Sequence, residues 1–271
     1  MSLAGKRVLL TGASGGIGSA LAMELARAGA KLALAGRNAA KLAALVQNAR
    51  ARGAQSAVAL PFDLAAPDGH EALVEAAAQA LEGLDVLVNN AGIQRFGPLA
   101  AEDPHALAEL VAINLTAPLL LTRAALARFG AHDRGHIVNI GSTFGAIAHP
   151  NFAAYSATKF ALRGLSEALR RELSGTGVRV TYVSPRATDT AMNGAAVREL
   201  QAKTGAHVDD AQTVAHEVVA AISAGVAERQ IGRPERFFVR LNALFPRLVD
   251  GALAKQARAA TPPGRGRLPT S

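Results

Sequence analysis

Tyr155 and Lys159 stand four residues apart in Tyr155-Ser156-Ala157-Thr158-Lys159, a spacing that projects both side chains from one face of a helix. A free tyrosine, with a pKa near about 10, is a poor base at neutral pH. An ammonium beside it favours the phenolate and draws the phenol toward the working range. The pair therefore reads as acid–base machinery. Ser142 follows the aliphatic run ending at Ile140, so it stands at a strand's C-terminal end, the edge where open parallel sheets place their ligands. Asn89-Asn90-Ala91-Gly92 follows Val86 to Val88, and Asp63 follows the run ending near Pro61. Several separate segments thus bring polar groups to one rim.

A second chemistry is written after the first apolar run, in Thr11-Gly12-Ala13-Ser14-Gly15-Gly16-Ile17-Gly18. Glycines there let the chain turn sharply and let backbone N–H groups approach a diphosphate at the positive end of a helix. The spacing is G-x-x-x-G-x-G rather than the general dinucleotide fingerprint G-x-G-x-x-G. The second run ends Leu34-Ala35-Gly36-Arg37-Asn38, without the acid that holds a ribose 2′-hydroxyl. Arg37, with Ser14, suits a 2′-phosphate instead, which favours NADP(H) over NAD(H).

Those groups need a scaffold, and the periodicity supplies one. Aliphatic runs at 7–10, 31–35, 57–60, 86–88, 136–140 and 178–183 alternate with helical spacing at about 16–29, 38–52, 68–81, 104–130, 152–174 and 209–224. Strands separated by such helices predict a doubly wound parallel α/β sheet covered on both faces. The chain of 271 residues is 50% hydrophobic and 18% charged, the composition of a folded globule. It has no cysteine, so disulfides, thiolate metal sites and cysteine nucleophiles are excluded. His132 and His136 are separated by a turn-like Asp133-Arg134-Gly135, and no metal is expected. The nearly uncharged stretch 110–121 is too short to span a membrane and reads as a buried helix.

The formal charge is +8, and nine basic against three acidic residues lie from Val226 onward. Six of the eight charges therefore belong to the C-terminal end. The remainder of the chain is nearly balanced, and without a recognition motif or aromatic platform nucleic-acid binding is not expected.

TGASGGIG at 11–18, NNAG at 89–92, Asn114, Ser142 and YSATK at 155–159, in this order and at these separations, resemble the short-chain dehydrogenase/reductase family over about residues 5–190. The resemblance implies a Rossmann-like domain with a seven-stranded parallel sheet, here over 1–232. It implies hydride transfer between nicotinamide and a carbonyl or secondary alcohol, with Tyr155 as general acid or base and Lys159 lowering its pKa and holding the nicotinamide ribose. Ser142 would polarise the carbonyl, and Asn114 would support a water relay to Lys159. Gly12, Gly16, Ile17 and Gly18 would line the diphosphate, Asp63 and Leu64 the adenine, and Asn90, Ala91 and Gly92 the adjoining ribose. Pro185, Thr188 and Thr190 would serve the nicotinamide and phosphates. A cytoplasmic homo-oligomer, assembled through the helices near 104–130 and 152–174, is also implied. The other reading is a non-catalytic NADP-binding sensor or scaffold, which the filled catalytic positions disfavour.

Two features depart from the family pattern. Arg186 stands where glycine usually follows the proline; it recognises an acidic substrate, contacts the cofactor diphosphate, or points to solvent. The second is an amphipathic helical extension over 233–260, kinked at Pro246 and followed by a loose end at 261–271. Phe237, Leu241, Leu244 and Leu248 share one face and Arg236, Arg240 and Arg247 another. The helix packs over the substrate mouth or a subunit contact, or lies on an anionic membrane. The substrate pocket is expected among Gln94, Arg95, Phe96, Phe144, His149, Asn151, Phe152 and the mobile-looking stretch 186–205, and its composition suits an apolar substrate.

Overall fold

A computed structural model of the chain describes residues 2–130 and 132–260; the expected loose end at 261–271 lies outside the described residues. Strands β1 (Arg7–Leu10), β2 (Lys31–Gly36), β3 (Ser56–Pro61), β4 (Val86–Asn89), β5 (Gly135–Ile140), β6 (Val178–Ser184) and β7 (Glu228–Gln230) form one sheet in the order 3-2-1-4-5-6-7. All neighbours pair in parallel. The helices are α1 (Gly16–Arg27), α2 (Ala39–Ala51), α3 (His70–Leu81), α4 (Pro104–Val111), α5 (Ala117–Gly130), α6 (Ala153–Glu172), α7 (Ala195–Thr204), α8 (Ala211–Ala224), α9 (Arg233–Leu244) and α10 (Pro246–Ala260).

Side-chain alternation divides the core into two layers. Val8, Leu10, Leu32 and Leu34 join α1, α2 and α8 on one face of the sheet, while Leu9, Ala33 and Leu87 join α3, α5 and Leu169 of α6 on the other. Leu9, Leu10, Leu32 and Leu34 are wholly buried, each stabilising the fold by about 1.5–3 kcal/mol. Coverage on both faces is why the strands read as unbroken aliphatic runs.

The structure corrects the sequence reading in three places. The helix expected over 104–130 is continuous, but a π-helical turn at Ala112–Thr116 joins α4 to α5. That 27-residue helix has the length and mean hydropathy of a membrane span, yet half of its most apolar 18-residue stretch is buried inside the protein. The stretch read as mobile contains α7, capped by left-handed Gly205. The C-terminal helix is two helices, broken at Phe245 rather than kinked within one. The seventh strand that the resemblance implied is present, with Tyr182, Val183 and Ser184 paired to Glu228, Arg229 and Gln230.

His136 on β5 is 1% exposed. Thr181 Oγ1 donates its one hydrogen to Val226 O at 2.6 Å and so accepts from His136 Nε2–H at 2.8 Å. Nδ1 is buried without a partner among the described residues. Burial, with Arg179 adding repulsion, pushes the imidazole down to about 4 from 6.5. A depressed folded pKa means stability that is complete above the unfolded value and is lost as pH falls from 6.5 through 4. Urea unfolding should show about 2–3 kcal/mol less stability at about pH 4.5 than at about pH 7 from this group. His136→Phe should flatten that slope; an unchanged slope would reject the assignment.

Candidate active site

The chain reverses its direction across the sheet between β1 and β4, and the crevice opens there. Gly12 follows β1 with φ +64, and a Cβ on it would lie 2.7 Å from Ala91 Cα, so the loops after β1 and β4 touch. A Cβ on Gly18 would lie 2.0 Å from Gly12 O. Only glycine permits either approach. No side chain caps the start of α1, which leaves its first amides facing the crevice with the positive end of the helix behind them. Asn90, expected at the adjoining ribose, lines the cavity, while its Nδ2 donates to Thr11 O at 2.9 Å and Gly12 O at 3.3 Å and so pins the loop.

Beyond β2, Ser14 Oγ lies 3.2 Å from the position a Cβ on Gly36 would take, and Ser14, Arg37 and Lys41 line one end of the cavity. Arg37 is 62% exposed, 3.9 Å from Glu109. Lys41 escaped the sequence reading, although a second cation one turn after Arg37 in a helix capped by Asn38 was a usable signal. Asp63 and Leu64, with Pro185, Thr188 and Thr190, also line the cavity, and Thr190 packs on Gly16.

The acid–base group lies further along the same cavity. α6 buries Tyr155, Thr158 and Lys159 on its inner stripe, with Tyr155 8% and Lys159 4% exposed. Tyr155 is hydrogen-bonded to Ser142, yet burial outweighs this bond and pushes the phenol up to about 12. Lys159 is pushed down to about 8 by the same burial. Its Nζ is 3.1 Å from Ile140 O, to which it donates, and 5.7 Å from the Tyr155 ring centre. The net shift on the phenol is therefore upward, opposite in direction to the lowering expected from lysine, because loss of water dominates.

Asn114 is not on the cavity wall. It sits in the π-helical turn, receives Ile93 N at 2.9 Å and donates to Ile93 O at 2.9 Å and Thr158 Oγ1 at 3.1 Å. Its side chain links the strand-β4 loop to α6. Phe96 likewise stands behind Phe152, 5.0 Å between ring centres, Arg95 turns to Glu109, and Asn151 takes a left-handed bend. Gln94 reaches the cavity while bonding Met192 O and Asn193. Phe144, His149 and Phe152 line the cavity, Phe144 stacking on His149 at 5.4 Å.

The cavity measures about 910 Å³, at the large end for small-molecule sites. Its far wall is apolar: Val197 and Leu200 come from α7, inside the stretch expected to bound the pocket, and Phe238 and Leu241 from α9 with Val249 and Leu253 from α10, the extension for which packing over the substrate mouth was one expectation. The i, i+3 spacing of Val197 and Leu200 was visible, but the flanking glycines hid the helix. Arg186 lines the cavity rather than pointing to solvent, and its guanidinium is engaged by carboxylates of the chain itself. Its Nε and Nη2 both bond Asp209 at 2.8 Å, and its Nη1 is 3.3 Å from Glu235 of α9.

The family model of the short chain dehydrogenases matches residues 6–201. An uncharacterized oxidoreductase of Listeria monocytogenes is 37% identical over 192 residues, covering 70% of this chain and 77% of its own. One of Staphylococcus aureus is 35% identical, covering 70% and 81%. Among solved structures, a short chain dehydrogenase of Burkholderia cenocepacia in complex with NADP superposes with TM-score 0.75 at 32% identity, covering 85% and 98% of the chains. One of Burkholderia phymatum in complex with NAD gives TM-score 0.82 at 27% identity, covering 92% and 96%.

The Arg186 ion pair should be measurable by itself. Arg186 is 16% and Asp209 6% exposed, so Arg186→Met leaves a nearly buried carboxylate without its cation, at a cost of about 3 kcal/mol. Urea unfolding should report that loss, and adding Asp209→Asn should recover part of it. Equal stability of Arg186→Met and the parent would show that the clasp contributes nothing.

Proposed function

Because the chain belongs to the short chain dehydrogenase family of oxidoreductases, we propose that it transfers a hydride between NADP(H) and the carbonyl or secondary alcohol of an apolar substrate. The observation that carries this reading is one continuous cavity: Ser14, Arg37 and Lys41 line one end, Ser142, Tyr155 and Lys159 the middle, and an apolar wall the other end. The residues fit a dinucleotide, since the Gly12 and Gly18 approaches leave a cradle that side chains would fill.

When bound, the cofactor supplies or accepts the hydride. The amides at Gly16, Ile17 and Gly18 would hold its diphosphate, Asp63 and Leu64 its adenine, and Ala91 and Gly92 the adjoining ribose. Arg37, Lys41 and Ser14 would hold a 2′-phosphate through charge-assisted bonds. Thr188 and Thr190, beside Pro185, would meet the nicotinamide end, with Lys159 on its ribose.

The chain's own chemistry is proton transfer. With its phenol up at about 12, Tyr155 stands protonated at neutral pH and is suited to give its proton to a carbonyl oxygen during reduction. Ser142 donates to the same oxygen and orients it. Lys159, down at about 8, is still a cation near neutrality and stabilises the charge that forms on Tyr155. Asn114 acts as a positioning residue through Ile93 and Thr158. A non-catalytic sensor does not need this set of donors, which makes that reading weaker. Homo-oligomer formation through α4, α5 and α6 is supported by Val111, Leu119 and Phe160, which stand exposed there.

Two measurements test the reading. NADPH should bind at least about tenfold more tightly than NADH, and Arg37→Ala should remove most of the difference; tighter NADH would reject the role of Arg37. In a panel of apolar ketones followed by NADPH absorbance, Tyr155→Phe should lose about 10²-fold or more in kcat. The acid form of Tyr155 and the cation of Lys159 are the active forms, so reduction should decline as pH rises through about 8. Turnover surviving Tyr155→Phe would sink the mechanism.

A further inference from the structure

The outer surface of the α9–α10 hairpin carries side chains that the cavity does not use. Phe237 is 63%, Leu244 71% and Phe245 55% exposed, and Leu248 beside them is 65% exposed. Arg233, Arg236, Arg240 and Arg247 are exposed over the same stretch, and among the described residues none is paired with a carboxylate. Glu235, the acid in the first turn of α9, is turned inward to Arg186. Beyond Asp250 the sequence adds Lys255, Arg258, Arg265 and Arg267 and no acid. Phe238 and Leu248 belong both to this exposed surface and to the cavity wall, so the patch adjoins the cavity mouth.

We propose that this face docks on an anionic phospholipid surface and that the cavity opens toward it. Large apolar side chains interleaved with arginines are matched by the boundary between acyl chains and phosphate headgroups. The planar guanidinium pairs with phosphate oxygens, and unpaired arginines are free to do so without breaking another ion pair. A second copy of this chain would bring two cationic patches together, which opposes that contact. A nucleic acid would answer the charge but leave Phe237, Leu244 and Phe245 in water. The docked geometry delivers an apolar substrate from the bilayer to the apolar end of the cavity, past Phe238 and Leu248. The docking itself does not depend on the cofactor or the reaction.

Flotation of the full chain with vesicles of phosphatidylcholine alone, and of phosphatidylcholine with phosphatidylglycerol, tests this directly. Binding should require phosphatidylglycerol and weaken as salt rises. Arg236→Gln and Arg240→Gln should each weaken it about fivefold. Phe237→Ser with Leu244→Ser and Phe245→Ser should weaken it at least about tenfold. NADPH affinity and urea unfolding, measured on the same variants, should stay at the parent values and verify folding. Equal recovery on both vesicles, no recovery on either, or arginine variants that bind like the parent would overturn the proposal. So would sedimentation in which the triple substitution dissolves an oligomer while vesicles remain free of protein, the signature of a contact between copies.

Discussion

The contact between the loops after β1 and β4 is the constraint from which the rest of the site follows. Thr11 Oγ1 donates to Val88 O and accepts from the amides of Asn90 and Ala91, so one hydroxyl ties both loops to the sheet edge. Gly12 then passes against Ala91 in a left-handed conformation, and Gly18 fits beneath Gly12 O. This fixes the start of α1 toward the crevice. On the other side the same loop continues to Gly92, where a Cβ would lie 3.4 Å from both Asn114 Oδ1 and Lys159 Nζ. The anion cradle and the acid–base pair are thus held in one rigid frame by short backbone contacts, without a long lever between them.

Burial in that frame sets the charge states. Tyrosine is neutral when protonated and lysine is neutral when deprotonated, so removing water raises one pKa and lowers the other. Both shifts narrow the tolerance of the pair for charge. The hydrogen bond to Ser142 works against the shift on Tyr155, and Ile140 O is the partner that holds the lysine. The proton on Tyr155 is kept at rest by the low polarity around it, and in the proposed reduction Ser142 and Lys159 would stabilise its departure from positions they already hold. Preorganisation here consists of ordering donors in a dry site, at the expense of an ionised resting phenol.

Much of this was legible in the sequence because it depends on local patterns. β1 to β6 are covered on both faces, which makes each an aliphatic run. The glycine loop and the Tyr155–Lys159 spacing are likewise local. β7, three residues of Glu-Arg-Gln, has no such signature and exists because β6 offers it an edge. α7 buries Val197 alone and therefore has little periodicity to read. Asn114 was legible as a residue but not as a contact, since its partners Ile93 and Thr158 are brought to it only by folding. The same holds for Lys41, whose significance depends on the end of β2 and the start of α2 being adjacent to the crevice.

The two departures from the family pattern prove to be joined. Arg186, in the place of a glycine, uses Asp209 to hold the segment after β6, where Asp209 N bonds Ala187 O and Asp189 N bonds Asp209 O. Its remaining arm reaches Glu235 on α9. The extension is tied again by Asn242, which donates to Ala146 O at 2.9 Å, and at its base Gln230 donates to Thr143 Oγ1 at 2.9 Å. The segment that carries Ser142 and the segment that carries Thr188 and Thr190 are therefore both bonded to elements beyond β6. A glycine at 186 would leave the loop after β6 free but would remove the cation that draws Glu235 inward. The arginine and the extension make sense together: the arginine anchors the hairpin, and the hairpin supplies the apolar wall of the cavity.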